Sequence, residues 1–197
     1  MTVGVVIPNV PGRSREVELA LASHKVPGVF CHVVFGHATC GEAWNAGAAF
    51  LRDAVADLEY IMFTADDLIA HSGWLEAALQ VCRNGGVPAP VLYNDDMTVW
   101  QPDGGHDDMV AFSRVPFMPM HLYNLLPPCP PIHYYSDCWY GDRLREHGVP
   151  TLIHEEYAFT HTWAQVGRHE SDMGDRALYE KDAHDNPYRD LETRSQR

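Results

Sequence analysis

The chain has 197 residues, 46% of them hydrophobic and 11% aromatic, which is enough for one sizeable core, so a single domain over residues 1–169 with a polar tail at 170–197 is expected. A formal net charge of −13, with 14 Lys and Arg that form no cluster, disfavours long nucleic acid as a partner and leaves room for a local basic pocket. No run of about 18 apolar residues and no signal-type leader is present, and five scattered cysteines lack a C-x-x-C pair, so the expectation is a cytoplasmic protein with no membrane partner, no disulfide framework and no zinc site.

Residues 3–7 form a β-branched run stopped by Pro8, the pattern of a strand buried on both faces of a parallel sheet. A helix is expected over 14–24, a second strand over 29–35 and a helix over 41–58, where Ala43, Trp44, Gly47, Phe50, Leu51, Ala54, Val55 and Leu58 fall near a 3.6-residue repeat. A third strand, 60–64, is followed by a helix from Ser72 to the Asn84-Gly85-Gly86 stop. Beyond it the alternation breaks down: short strands are expected at 87–93, 97–101 and 109–114. A stiff proline loop follows at 127–131, then a helix over 137–147 with Ser136 as its cap, and one or two strands over 151–162. Alternating strands and helices at the start imply an α/β/α sandwich of three layers on a mostly parallel sheet, Rossmann-like in its first half. The ligand crevice of such a sheet lies outside the carboxyl ends of its strands.

That rule gives weight to Asp66 and Asp67, which follow the apolar run at 60–64. Adjacent carboxylates at a strand end suit Mg²⁺ or Mn²⁺, which take one or two protein oxygens and complete their shell with substrate phosphates and water. An ordinary polar turn is the competing explanation of the pair.

Four blocks in this order resemble the GT-A fold glycosyltransferases of the family 2 type. Val5-Val6-Ile7-Pro8 looks like the opening strand, and Gly41-Glu42-Ala43-Trp44-Asn45-Ala46-Gly47 is similar to the start of the second helix. Phe63-Thr64-Ala65-Asp66-Asp67-Leu68 with His71-Ser72-Gly73-Trp74-Leu75 looks like the acidic motif and the helix behind it. Ser136-Asp137, with Asp142-Arg143-Leu144-Arg145 and Gly148, is similar to the segment that carries the base. The chain departs from the pattern at Ala65, where the motif often has a first Asp, at Trp44, where an Arg is usual, and at the end of the second strand, which lacks an Asp for the nucleobase.

The resemblance implies an inverting transfer of a sugar from a nucleoside-diphosphate sugar, UDP- or GDP-linked, to an acceptor hydroxyl on a glycan, a protein or a modified nucleotide. It implies Mn²⁺ or Mg²⁺ as cofactor and Asp67 as its ligand, with Asp66 either a ribose contact or a partner standing behind Asp67. It makes His161 a candidate second ligand, with His154 its competitor among 12 histidines. Asp137 becomes the general base, ionised in the first turn of its helix, where the macrodipole favours a carboxylate. Donor contacts are expected from Pro8, Asn9, Val10, Arg13, Gly41 and Asn45, since glycine allows close approach and helix N-termini favour phosphate. Trp139, Tyr140 and Trp163 are either an acceptor platform or core. Residues 103–108 and the proline loop are candidate lids. Two other classes compete: metal-dependent nucleotidyl or phosphoryl transfer, for which Pro11-Gly12-Arg13 is a poor phosphate loop, and non-catalytic binding of a nucleotide sugar or glycan.

Overall fold

The computed structural model describes residues 1–99, 115–132 and 136–162. Among these residues seven strands and five helices follow in the order β1 (Val3–Pro8), α1 (Ser14–Ser23), β2 (Val29–Val34), α2 (Cys40–Ala54), β3 (Tyr60–Phe63), β4 (Leu68–Ala70), α3 (Trp74–Arg83), β5 (Val87–Tyr93), β6 (Phe117–Pro119), α4 (Met120–Tyr123), α5 (Ser136–Glu146) and β7 (Thr151–His161). The expectations at 97–101 in part, 103–108, 109–114, Trp163 and the tail lie outside the described residues. Of the strand expected from Met97, the described part makes a single bridge, Val99 to Tyr93.

The larger sheet runs β2-β1-β3-β6, with β2 and β3 parallel to β1 and β6 antiparallel to β3. A second sheet, β4-β7-β5, pairs β4 antiparallel and β5 parallel to β7. The expected mixed α/β architecture is therefore present, with its strands divided between two sheets. Side-chain alternation along the strands produces the layers. Val3, Val5 and Ile7 of β1, Met62 of β3 and Phe117 of β6 enter one apolar cluster with Trp74, Leu75 and Ala78 of α3 and Tyr157 and Phe159 of β7. Val6, Ile61, Phe63 and Met118 point the other way, to Trp44, Ala48 and Leu51 of α2 and Trp139, Tyr140 and Leu144 of α5.

Two sequence details explain how tightly these layers close. A side chain at Gly47 would run into Val6 and Val34, so α2 can lie on the sheet only because this position lacks one. β5 carries Pro88 and Pro90, tolerable in an edge strand, and its register with β7 shifts between Ala89 and Val91.

Helix α2 ends at Ala54, four residues before the expected end, because Val55 is extended. Its apolar repeat runs on because Val55 and Leu58 still pack on the α2 side of the core. Ser136 is the first residue of α5 and not the residue before it. Strands β4 and β6 and helix α4 were not expected; each is only three or four residues long.

Candidate active site

The end of β3 delivers the acidic pair, and strand pairing delivers what surrounds it. β4 starts one residue after Asp67 and pairs with β7 so that Leu68 lies opposite His161. The Asp67 carbonyl accepts hydrogen bonds from the Thr162 N–H at 2.9 Å and from its hydroxyl at 3.2 Å, which fixes the end of β7 against the motif. His161 Nε2 consequently lies 3.4 Å from Asp67 Oδ2. His154 sits seven positions earlier on the same strand, on the order of 20 Å away along an extended chain.

Arg13 reaches the pair from the loop after β1. Its Nη1 donates to Asp66 Oδ1 at 3.0 Å and to Asp67 Oδ2 at 2.9 Å. The Val10 N–H donates to Asp66 Oδ2 at 2.7 Å, so the 9–13 loop is laced to the strand end. Asp66 is 2% exposed, with an oxygen held by each of these two partners. Burial pushes its carboxyl above the usual range, against the pull of the Val10 N–H and Arg13. Burial also pushes on Asp67, but the hydrogen bond and charge of His161, together with Arg13, outweigh it and hold this carboxyl below the usual range.

Asp137 lies in the first turn of α5, as expected. The Cys40 thiol at the start of α2 is pushed up to about 12 by burial; a hydrogen bond with Ser136 opposes the shift, and the fields of Asp137, Asp66 and Asp67 add to it. The thiol thus lies within electrostatic reach of all three carboxylates.

The N-terminus of α2 does not offer a bare phosphate cradle. Thr39 and Glu42 form a reciprocal capping box, in which Glu42 N–H donates to Thr39 Oγ1 and Thr39 N–H to Glu42 Oε2, each at 3.2 Å. The Gly41 N–H donates to the Ile132 carbonyl at 2.9 Å, and a side chain at Gly41 would strike the Pro130 carbonyl. Asn45 donates to the Cys129 carbonyl at 2.7 Å and accepts from its N–H at 3.1 Å. Gly41 and Asn45 therefore tether the proline loop to α2, which makes that loop an anchored strap at this point. The Thr-x-x-Glu spacing at 39–42 was a readable sign of this helix start; the tether was not, because Asn45 and Cys129 are 84 positions apart.

Trp139 and Tyr140 are core: both are buried, Tyr140 stacks on Phe63 and Trp139 packs edge-on against Tyr140. Of Asp142 to Arg145 only Arg145 is exposed, paired to Asp142 at 2.9 Å, while Leu144 is buried in the core.

Among the described residues no three His, Cys, Asp or Glu side chains are arranged to hold a metal ion by themselves. The donor set still fits a hard divalent ion of the kind that relies on substrate oxygens: a carboxylate of low pKa, an imidazole beside it, and a position between two carboxylates where a positive charge already sits.

No family model matches the chain, and no curated protein sequence matches it. Solved structures do. A variant of Drosophila β-1,4-galactosyltransferase 7 in complex with manganese, UDP-Gal and xylobiose is 15% identical, with a TM-score of 0.53 over 88% of this chain and 79% of that one. The catalytic domain of the same Drosophila enzyme with xylobiose is 13% identical, with a TM-score of 0.52 over 89% and 79%. The protein A197 from STIV is 10% identical, with a TM-score of 0.51 over 79% and 83%. The chain therefore has a GT-A-like fold.

Proposed function

We propose that this protein is a metal-dependent inverting glycosyltransferase that moves a sugar from a nucleoside-diphosphate sugar to an acceptor hydroxyl. The observation that carries the reading is the convergence of Asp67, His161 and Arg13 outside the carboxyl end of β3, where an open α/β sheet binds its ligand. The galactosyltransferase of similar fold, which holds manganese and UDP-Gal, supports it.

Asp67 and His161 would hold the ion, Mn²⁺ suiting the imidazole better than Mg²⁺. When bound, such an ion supplies Lewis-acid neutralisation of the charge that develops on the departing diphosphate. Asp66 keeps the 9–13 loop in place through the Val10 N–H, so that Pro8, Asn9, Val10 and Arg13 form the donor wall next to the pair. Gly41 and Asn45 support the donor site from behind, by holding the proline loop on α2. Asp137, at the start of α5, accepts the proton of the acceptor hydroxyl as its oxygen attacks the anomeric carbon from the side opposite the diphosphate. Attack from that side inverts the configuration. The donor is a UDP- or GDP-sugar, and the acceptor a glycan, a protein or a modified nucleotide.

Thermal unfolding with UDP, GDP and their sugars, with and without Mn²⁺, tests this. A ligand at about 100 times its dissociation constant adds roughly 2.7 kcal/mol, and the rise should need Mn²⁺ and vanish in Asp67→Ala. Asp137→Asn should keep the donor-induced rise and lower turnover by about 10²- to 10⁴-fold. No rise with any nucleotide would sink the reading. A full rise in a protein with no turnover on any acceptor tested, and with none of it altered in Asp137→Asn, would move it to a binding role.

A further inference from the structure

We propose that the Arg13 guanidinium occupies the divalent-ion position of its own site and competes with the ion for Asp67; this rests on the nucleotide-sugar reading above. One nitrogen, Nη1, lies 3.0 Å from Asp66 Oδ1 and 2.9 Å from Asp67 Oδ2, which is the place a cation shared by the two carboxylates would take. The same Asp67 oxygen faces His161 Nε2 at 3.4 Å, so Arg13 and the imidazole share the oxygen that an ion held by Asp67 and His161 would use.

The surroundings make sharing costly. The side chains of Arg13, Asp66 and Asp67 are only 14%, 3% and 13% exposed, so little water screens a guanidinium from a divalent ion bound to the same oxygen. Removing Arg13 with nothing in its place would leave Asp66 to the Val10 N–H and Asp67 to His161, with no cation between the two carboxylates, which favours an ion there.

What moves is the side chain and not the loop. The backbone around Arg13 is fixed by Asn9 N–H to the Val34 carbonyl at 2.9 Å, Val10 N–H to Asp66 Oδ2 at 2.7 Å and Val17 N–H to the Arg13 carbonyl at 3.1 Å. A long, planar guanidinium on a fixed stem leaves the carboxylates most readily for another anion, and a diphosphate arriving with the ion is one it grips in bidentate fashion. Ion and donor are then taken up together: the ion alone has to displace Arg13 without giving it a new partner, whereas the ion with a diphosphate does both.

The affinity of the nucleotide-free protein for Mn²⁺ reads this competition directly, through the resonance signal of free Mn²⁺. If the ion-competent arrangement is a minor one, its population scales the apparent affinity, so Arg13→Gln should bind Mn²⁺ about tenfold or more tightly than wild type. Arg13→Lys, which keeps a cation, should stay near wild type. The gain that UDP or GDP brings to Mn²⁺ affinity in wild type should shrink in Arg13→Gln. Should Arg13→Gln fail to fold, Asp66→Asn with Arg13→Gln, compared with Asp66→Asn alone, removes one charge of each sign and reads the same competition.

Mn²⁺ affinity that is unchanged or weaker without Arg13, while a nucleotide still strengthens Mn²⁺ binding in wild type, overturns the competition and leaves the glycosyltransferase reading standing. Tighter Mn²⁺ binding without Arg13, with no nucleotide coupling in any variant, keeps the competition and overturns the donor reading. No Mn²⁺ binding in any variant, with or without UDP or GDP, overturns both.

Discussion

Trp44 stands where the resembled glycosyltransferases carry an Arg, and its surroundings explain the exchange. Its indole N–H donates to the Thr64 carbonyl at 3.1 Å, and its ring packs against both Phe63 and Tyr140, so it props the end of β3 from below. Restoring the Arg should therefore not restore a donor contact. Trp44→Arg would lose the packing and bury an unpaired charge, lowering stability by roughly 3 kcal/mol or more in a denaturant titration. His24 offers a residue whose effect depends on pH. It is fully buried, with Nδ1 against the Ala20 carbonyl at 2.7 Å and the rings of Trp74 and Phe159 around it. Burial pulls its pKa below the ordinary 6.5, with the Ala20 carbonyl opposing. The unfolded chain therefore takes up this proton more readily than the folded one, and His24 stabilises the fold above its unfolded value and weakens it as pH falls through the folded one. The urea midpoint should drop between about pH 7 and about pH 5, and His24→Phe should flatten that drop. The site itself was partly readable at this scale. A carboxylate pair after an apolar run marks a metal-type strand end, and the later His161 was a candidate, but that Arg13 would bridge the pair follows from a contact over 53 and 54 positions that no local pattern carries.

At the scale of elements, what was legible were segments with their own periodicity and stop signals. β1, β2, β3 and the helices α1, α2 and α3 each bury a face long enough to print a pattern, and Pro8, Gly36 and Gly85-Gly86 punctuate them. β4 and β6 have three residues each, too few to show alternation, and they are strands only because β7 and β3 lie beside them. β4 matters most, since its pairing with β7 carries His161 to Asp67. The contact of α2 with the sheet can be tested by filling the gap that makes it. Gly47→Ala places a methyl against Val6 and Val34, backbone-proximal neighbours on two adjacent strands, so the helix has to lift. Overpacking of this kind costs about 1–3 kcal/mol, read as a lower denaturation midpoint with an unchanged slope. A midpoint equal to wild type would mean that α2 sits on the sheet more loosely than the packing at Gly47 implies.

For the molecule as a whole, both apolar clusters are built on the same strands, with successive residues of β1, β3 and β6 assigned to opposite faces. Val5 and Val6 are neighbours in the chain and lie in different clusters, so neither layer can open without exposing backbone that the other layer covers. The second sheet is tied in as well, because Tyr157 and Phe159 of β7 belong to the cluster formed by β1 and α3. One cooperative unit is the expectation, and the tryptophans can report on it, since Trp44 and Trp139 lie on the α2 side of the larger sheet and Trp74 on the other. Far-UV circular dichroism and tryptophan fluorescence should trace the same urea transition. Against a constant background from Trp100 and Trp163, Trp74→Phe removes the reporter on the α3 side, and Trp44→Phe combined with Trp139→Phe removes those on the α2 side. Each variant is expected to shift its midpoint, yet within each the two probes should still coincide. Fluorescence that ran ahead of circular dichroism in one variant and behind it in the other would mean that the layers melt separately, and that the strand ends carrying Asp67 and Arg13 are held together by less than the whole fold.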